Sequence, residues 1–364
     1  MDALMLPLNW QRVRLVDICE IKRGVRITKN ELDVFGKYPV VSGGVGFLGY
    51  TNNFNRYENT ITIAQYGTAG YVNFQKNKFW ANDVCFCIYP NKDIIKNIFL
   101  YYFLKVNQNY LYEISNRNAT PYSISKDKIL DFEIPLPPLN EQSAIADILS
   151  GLDRYLCALR ALILKKESVK KALSFELLSQ RKRLKGFNQN WKRVRLGDIA
   201  NYLTSNLSAE QITQQGKIKV YDVNNFIGYT NTTFISDKPY ISTVKDGSVG
   251  RVRILPPKTN ILSTMGALVA NHKTTTEFLF YLLSNFDFKN FTSGSIIPHI
   301  YFKDYKKKTI FLPPPLDEQI AIANILSDLD NEIASLKNKK RQFENIKKAL
   351  NHDLMSAKIR VLKK

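Results

Sequence analysis

Several groupings along this chain have the residue types for chemistry, and most fail on their surroundings. Gly44-Val45-Gly46-Phe47-Leu48-Gly49 matches the glycine pattern of a dinucleotide site and comes after the strand-like YPVVS. Such a site needs a helix to open there, because helix N-terminal amides hold the pyrophosphate. The next residues are YTNNFNRYEN, rich in Asn and without helical periodicity, so the segment reads as a glycine-rich turn. His272, His299 and His352 are not paired at metal-ligand or H-E-x-x-H spacing. Cys85 and Cys87 are the one close pair among Cys19, Cys85, Cys87 and Cys157, and no histidine lies near them. Reduced thiols are the expectation, as in a cytosolic protein. No Walker A sequence, nucleophile elbow or N-P-P-F motif occurs, so none of those chemistries is expected of this chain.

Two loops offer recognition chemistry instead. Gln65–Asn73 and Lys245–Arg253 share Gly67/Gly247 and Gly70/Gly250, whose small size lets another molecule approach. Around those glycines stand Gln65, Tyr66, Tyr71 and Asn73 in one loop, and Lys245, Asp246, Arg251 and Arg253 in the other. Asn and Gln carry the paired donor and acceptor that match adenine, and Lys or Arg matches guanine. Lys22, Arg23, Arg26 and Arg117 are candidates for phosphate contacts, with a solvated surface as the competing reading.

Charge points to the ligand these loops would meet. The net charge is +20, and the excess is spread over the whole chain rather than gathered in a tail. A surplus of that size favours a polyanion, and a spread one suits a long or repeated nucleic-acid footprint. The start, MDALMLPLNW, has no basic stretch leading into a long apolar run, so no signal peptide is expected. No run of about 18 apolar residues appears, so no membrane span is expected.

The elements that must position the loops come from an internal duplication. Residues 137–184 and 314–361 match at 22 of 48 positions, without a gap, at an offset of 177. Upstream, NWQRVRLVDI returns as NWKRVRLGDI, GYTN recurs, and FLYYFLK returns as FLFYLLS. The duplication gives four segments: a first variable domain over 1–136, a helix over 137–186, a second variable domain over 187–313 and a second helix over 314–364.

Proline pairs before each helix fix its start, because proline cannot lie inside one. Asn140 and Asp317 suit the N-caps, Glu141 and Glu318 suit the positive helix end, and Gly186 suits the first helix's termination. Steps of four and three from Ile145 to Leu177, and from Ile322 to Leu354, each give eight apolar positions in ten. Such a seam predicts a coiled coil, and about 44 residues at about 1.5 Å each would make a rod of roughly 66 Å. Charged residues are repeated too: Glu167/Glu344 and Lys170-Lys171/Lys347-Lys348 read as outward faces for partner binding. The domains themselves alternate short β-rich runs (ITIAQY, YVNF, VCFCIY) with Gly, Asn and Pro turns and one apolar helix, an α+β pattern.

IPLPPLNEQSAIADILSGLD and FLPPPLDEQIAIANILSDLD resemble the entry to each conserved helix of Type I restriction–modification specificity subunits. YPVVSGGVGFLGYTN and FWANDVCF are similar to recognition-domain segments of the same family; the second half has no clear counterpart of FWAND. The resemblance implies two target-recognition domains held apart by an antiparallel helix pair. It also implies two modification subunits carrying S-adenosylmethionine, and restriction subunits carrying ATP and Mg, with no cofactor or catalytic site on this chain. Duplex DNA has dyads perpendicular to its axis, so two similar domains can read two half-sites about 34 Å apart. A coiled-coil scaffold with two ligand-binding domains explains the repeat without the charge. An RNA-binding protein explains the charge.

Overall fold

The computed structural model describes residues 6–118, 120–294 and 296–361. The chain divides into two compact units, Met1–Arg160 with Asn338–Lys364, and Ala161–Lys337. Each unit holds one α+β domain and part of both long helices.

The strand order, left open by the sequence, is the same in both units. In the first, an antiparallel sheet runs Cys19–Arg23, Cys85–Pro90, Thr60–Ala64, Val72–Gln75. A smaller sheet runs Gly49–Thr51, Tyr38–Val41, Trp80–Ala81, the last pair parallel. The second unit repeats this with Ala200–Thr204, Met265–Ala270, Tyr240–Val244, Val252–Leu255. Its smaller sheet runs Phe226–Thr230, Ile218–Tyr221, Asn260–Ile261. Thr60–Ala64 and Tyr240–Val244 are buried along their whole length, as inner strands rich in β-branched residues should be. Helices Asn97–Val106 and Thr276–Ser284 bury Phe99, Leu100, Phe103 and Leu104, and Phe278, Leu279, Leu282 and Leu283. Each such side chain contributes about 1.5–3 kcal/mol when removed from water.

The long helices, Leu139–Leu178 and Leu316–Met355, have 40 residues each. They start one residue before the expected caps, so Asn140 lies in the first turn and accepts the Glu141 amide at 2.9 Å. The first helix stops at Leu178 rather than near Gly186, with Gln180 in the left-handed region at φ 63°. That early turn swings Arg183 out of the helical line onto Glu318.

Glu141 and Glu318 do more than complement a helix dipole. Glu141 is buried; it accepts the Trp10 indole at 3.1 Å and two guanidinium bonds from Arg360, at 2.6 and 2.8 Å. Glu318 accepts Trp191 at 3.1 Å and Arg183 at 2.9 and 3.1 Å. The adjacent Gln142 and Gln319 are fully buried and satisfy backbone groups at the domain–helix junction, including the Pro137 and Pro313 carbonyls.

Within each unit the helix segments pack antiparallel through the expected seam. Leu156 and Leu159 are buried in one unit, and Ile163 and Ile333 in the other. The seam's polar exceptions are answered as well. Lys347 bonds Asp153, which also accepts the Tyr102 hydroxyl at 2.7 Å. Lys170 bonds Asp330, which accepts the Tyr281 hydroxyl at 2.9 Å. Burial, and then the hydrogen bond to the carboxylate, push both phenols well above their ordinary range.

Arg183→Ala leaves the Glu318 carboxylate buried without its cation and should destabilise the protein by about 3 kcal/mol. Arg183→Met with Glu318→Leu should recover much of that loss, because no charge stays stranded. Urea denaturation midpoints of the single and double variants check both outcomes.

Candidate nucleic-acid interface

Register places Arg23 and the Gln65–Tyr71 loop of the first domain at one end of its larger sheet. Arg23 lies opposite Phe86, Ala64 opposite Cys85, and Ile63 opposite Val72, so Gln65–Tyr71 connects two strands at the end where Arg23 emerges. Two other segments bond that connection. The glycine-rich turn between Tyr38–Val41 and Gly49–Thr51 comes first, and its Gly43 carbonyl accepts the Thr68 amide at 2.9 Å. The segment Tyr122–Ile124 comes second: Tyr122 accepts the Gly67 amide at 3.0 Å, and the Ile124 amide reaches Gln65 at 3.0 Å. A Cβ at Gly43 would lie 2.3 Å from the Tyr66 carbonyl, so that close approach requires glycine. Gly67 and Gly70 take φ of +78° and +88°, where other residues are strained.

The second domain repeats this with Gly247 at +81° and Gly250 at +78°. The Gly247 amide donates to Pro298 and the Ile300 amide to Lys245, both at 2.9 Å.

The side chains on this frame differ in what remains available. Arg26 and Arg251 are exposed. Lys22 is exposed beside Glu20 at 3.0 Å, and Arg23 bonds the Asp83 carbonyl. Tyr66 is half-buried, its backbone bridged to Ser123. Gln65 is half-buried, and its Oε1 is enclosed with no partner among the described residues. Tyr71 lies under the Lys105 ammonium, 4.3 Å from the ring centre. Asn73 caps the Phe74 amide at 2.9 Å. Arg117 stacks between Tyr112 and Tyr122, at 5.3 and 5.1 Å. Arg253, in the register that Asn73 holds in the first domain, bonds the Asn224 carbonyl at 2.9 Å and covers Tyr221, which ties it to the hairpin turn.

Two features at this end of the domains lie outside the residues that sequence reasoning named. Asp246 pairs with His299 Nδ1 at 2.6 Å, and both are about one-third exposed. His299 stands where the first domain has Ser123, and a lone histidine carries no pattern of its own. The second is the glycine-rich turn, which exposes Val45, Phe47 and Leu48 beside the recognition loop, an apolar tip that its glycine spacing gave no reason to expect.

Four of the six helix residues expected on outward faces form ion pairs across the helix pair. Lys170 and Lys347 hold Asp330 and Asp153, Glu344 meets Arg160 at 2.9 Å, and Glu167 meets Lys337 at 2.6 Å. A heptad seam brings its flanking charges against the neighbouring helix, so ion pairs across it use those groups. Lys171 and Lys348 alone of the six are exposed. Among the described residues no His, Cys, Asp and Glu cluster could hold a metal, and no helix is long and apolar enough to cross a membrane.

The chain matches the sequence profile of the Type I restriction modification DNA specificity domain twice, over residues 7–167 and 188–345. A Mycoplasma genitalium protein named as a type I specificity subunit is 30% identical over 260 residues, covering 68% of this chain and 67% of that protein. A Methanocaldococcus jannaschii protein named as a type I restriction enzyme specificity subunit is 28% identical over 410 aligned residues, covering 98% and 95%. The crystal structure of a type I restriction-modification S subunit from M. genitalium superposes with a TM-score of 0.73 at 23% identity, covering 97% and 98%.

Arg251→Ala should relax discrimination at one base pair by about 1–3 kcal/mol if Arg251 reads guanine. A phosphate contact would instead weaken every sequence alike and lower the salt slope by about one. Binding to a target and its single-base variants distinguishes the two. His299→Ala should change the same discrimination by freeing Asp246, measured on the same set of duplexes.

Proposed function

The chain belongs to the family of type I restriction–modification DNA specificity subunits, and from that membership we propose that it reads a split target in duplex DNA, one half-site with each domain. The observation that carries this reading is the contrast between junction and loops. At the junctions, Trp10/Trp191, Glu141/Glu318, Gln142/Gln319 and Tyr102/Tyr281 are identical; the indole, carboxylate and phenol make the same bonds, and each glutamine bonds a proline carbonyl of the segment before its helix. At the loops the same backbone carries Gln65, Tyr66, Tyr71 and Asn73 in one domain and Lys245, Asp246, Arg251 and Arg253 in the other. One frame with two sets of hydrogen-bonding groups is what reading two different half-sites requires. The charge of +20 supplies the sequence-independent attraction to phosphate.

In this reading the chain is a non-catalytic subunit. Modification subunits bring S-adenosylmethionine and methylate adenine, restriction subunits bring ATP and Mg, and the assembly works in the cytoplasm. Lys171 and Lys348, exposed at equivalent points of the two helices, mark the surface that receives the modification subunits.

Binding of the full chain to duplexes with a split site, to single strands and to structured RNA at one stated salt concentration tests the reading. Preference for a split duplex supports it, and preference for RNA overturns it. Purified chain without partners should transfer no methyl group to DNA, measured with labelled S-adenosylmethionine. Lys171→Glu with Lys348→Glu should weaken assembly with the modification subunits, seen by analytical ultracentrifugation, and leave the circular dichroism spectrum unchanged. Normal assembly would move the docking surface elsewhere.

A further inference from the structure

The two domains share a plan, so each shows what the other has removed. In the first, Trp80 lies in parallel register opposite Val40, and its indole Nε1 donates to the Val25 carbonyl at 2.8 Å. Arg56, whose backbone bonds Phe79, donates from its guanidinium to the Arg23 carbonyl at 2.7 Å. An indole and a guanidinium thus occupy the space beside residues 23–25.

In the second domain Asn260 holds the register of Trp80, opposite Val220. Ile235 holds that of Arg56, its amide bonded to the Thr259 carbonyl at 2.9 Å. Asn260 turns to its own backbone neighbours, donating to the Thr233 carbonyl at 2.6 Å and accepting the Ile261 amide at 2.8 Å. Thr204, opposite Gly266 as Arg23 is opposite Phe86, receives no guanidinium among the described residues. A cavity of about 360 Å³ stands there, with Ser205, Asn206, Gln211 and Thr232 among its lining and no ionisable side chain.

We propose that this cavity binds a nucleobase, a planar neutral heterocycle with N–H donors seated where the first domain seats its indole. A cavity of ~150 Å³ already holds a benzene ring, so the volume here is sufficient for a purine. The uncharged lining disfavours a phosphate or carboxylate, which would lose its hydration with no cation to receive it. Side-chain amides and hydroxyls present donors and acceptors together, the complement of a base edge. Exposed Phe234 in the rim adds a ring face for stacking. The base comes from a free nucleoside or from a nucleotide turned out of bound DNA; the second source rests on the DNA-reading function proposed for the chain and the first does not.

The test uses the full chain and two probes: adenosine followed by titration calorimetry, and a duplex carrying 2-aminopurine followed by fluorescence. Asn260→Trp refills the cavity as Trp80 does, and Thr232→Trp crowds it from an exposed rim position where bulk is tolerated by the fold. Circular dichroism verifies both variants. Saturable adenosine binding, one per chain, lost in the folded variants, supports the site with a free-nucleoside source. A rise in 2-aminopurine emission on duplex binding, lost in the same variants, supports it with an extruded base. Neither response from the wild-type chain, or a response that survives in either folded variant, overturns the proposal. Duplex affinity is read in parallel by anisotropy: intact affinity with neither response sinks the cavity assignment alone, and absent duplex binding sinks the DNA reading.

Discussion

One buried carboxylate in each unit holds the rest in place. Taking a carboxylate out of water costs several kcal/mol unless its lone pairs are answered by a cation and hydrogen-bond donors. Glu141 and Glu318 are answered completely, by a forked arginine and an indole N–H. The three partners come from separate stretches: the start of one long helix, the chain just past the end of the other, and the segment leading into the domain's first strand. Misplacing any of them strands a charge, so the geometry of domain and helices is fixed at that point. The neighbouring glutamine does the same for backbone groups, and the Tyr–Asp–Lys cluster repeats the principle one step further along the helices.

A junction fixed so firmly leaves the far end of each sheet free to differ. There the backbone is set by glycines at positive φ and by bonds between neighbouring loops, neither of which depends on the variable side chains. Gln65 and Lys245, or Tyr71 and Arg251, exchange without disturbing the frame that presents them. The same logic covers the Trp80 and Asn260 pair, where one domain fills a space that the other leaves open.

The basic surplus divides along these lines as well. Lys166, Lys170, Lys337 and Lys347 meet carboxylates across the helix pair. Their charges are therefore locally balanced, and Arg26, Arg117 and Arg251 in the domains carry exposed positive charge without such a counterpart among the described residues.

The duplication, the two long helices, the apolar seam and the α+β character of the domains are all legible in the amino-acid sequence. Those are properties of periodicity and repetition, and proline pairs, heptads and β-branched runs encode them locally. The sequence also marked the glycine loops, since a backbone that must take positive φ limits the residue type. Which polar groups meet is set by the fold. Arg360 and Glu141 lie 219 residues apart, and although Arg360 recurs as Arg183 at the offset of the repeat, recurrence does not say which group it meets. Lys170 and Glu167 looked like outward charges because a helical pattern gives spacing and not the identity of the opposing side chain. His299 and Asp246 met only when two loops closed on each other. The cavity at Asn260 was foreshadowed by the missing FWAND counterpart, but a void belongs to no residue, and it exists only once its walls have folded.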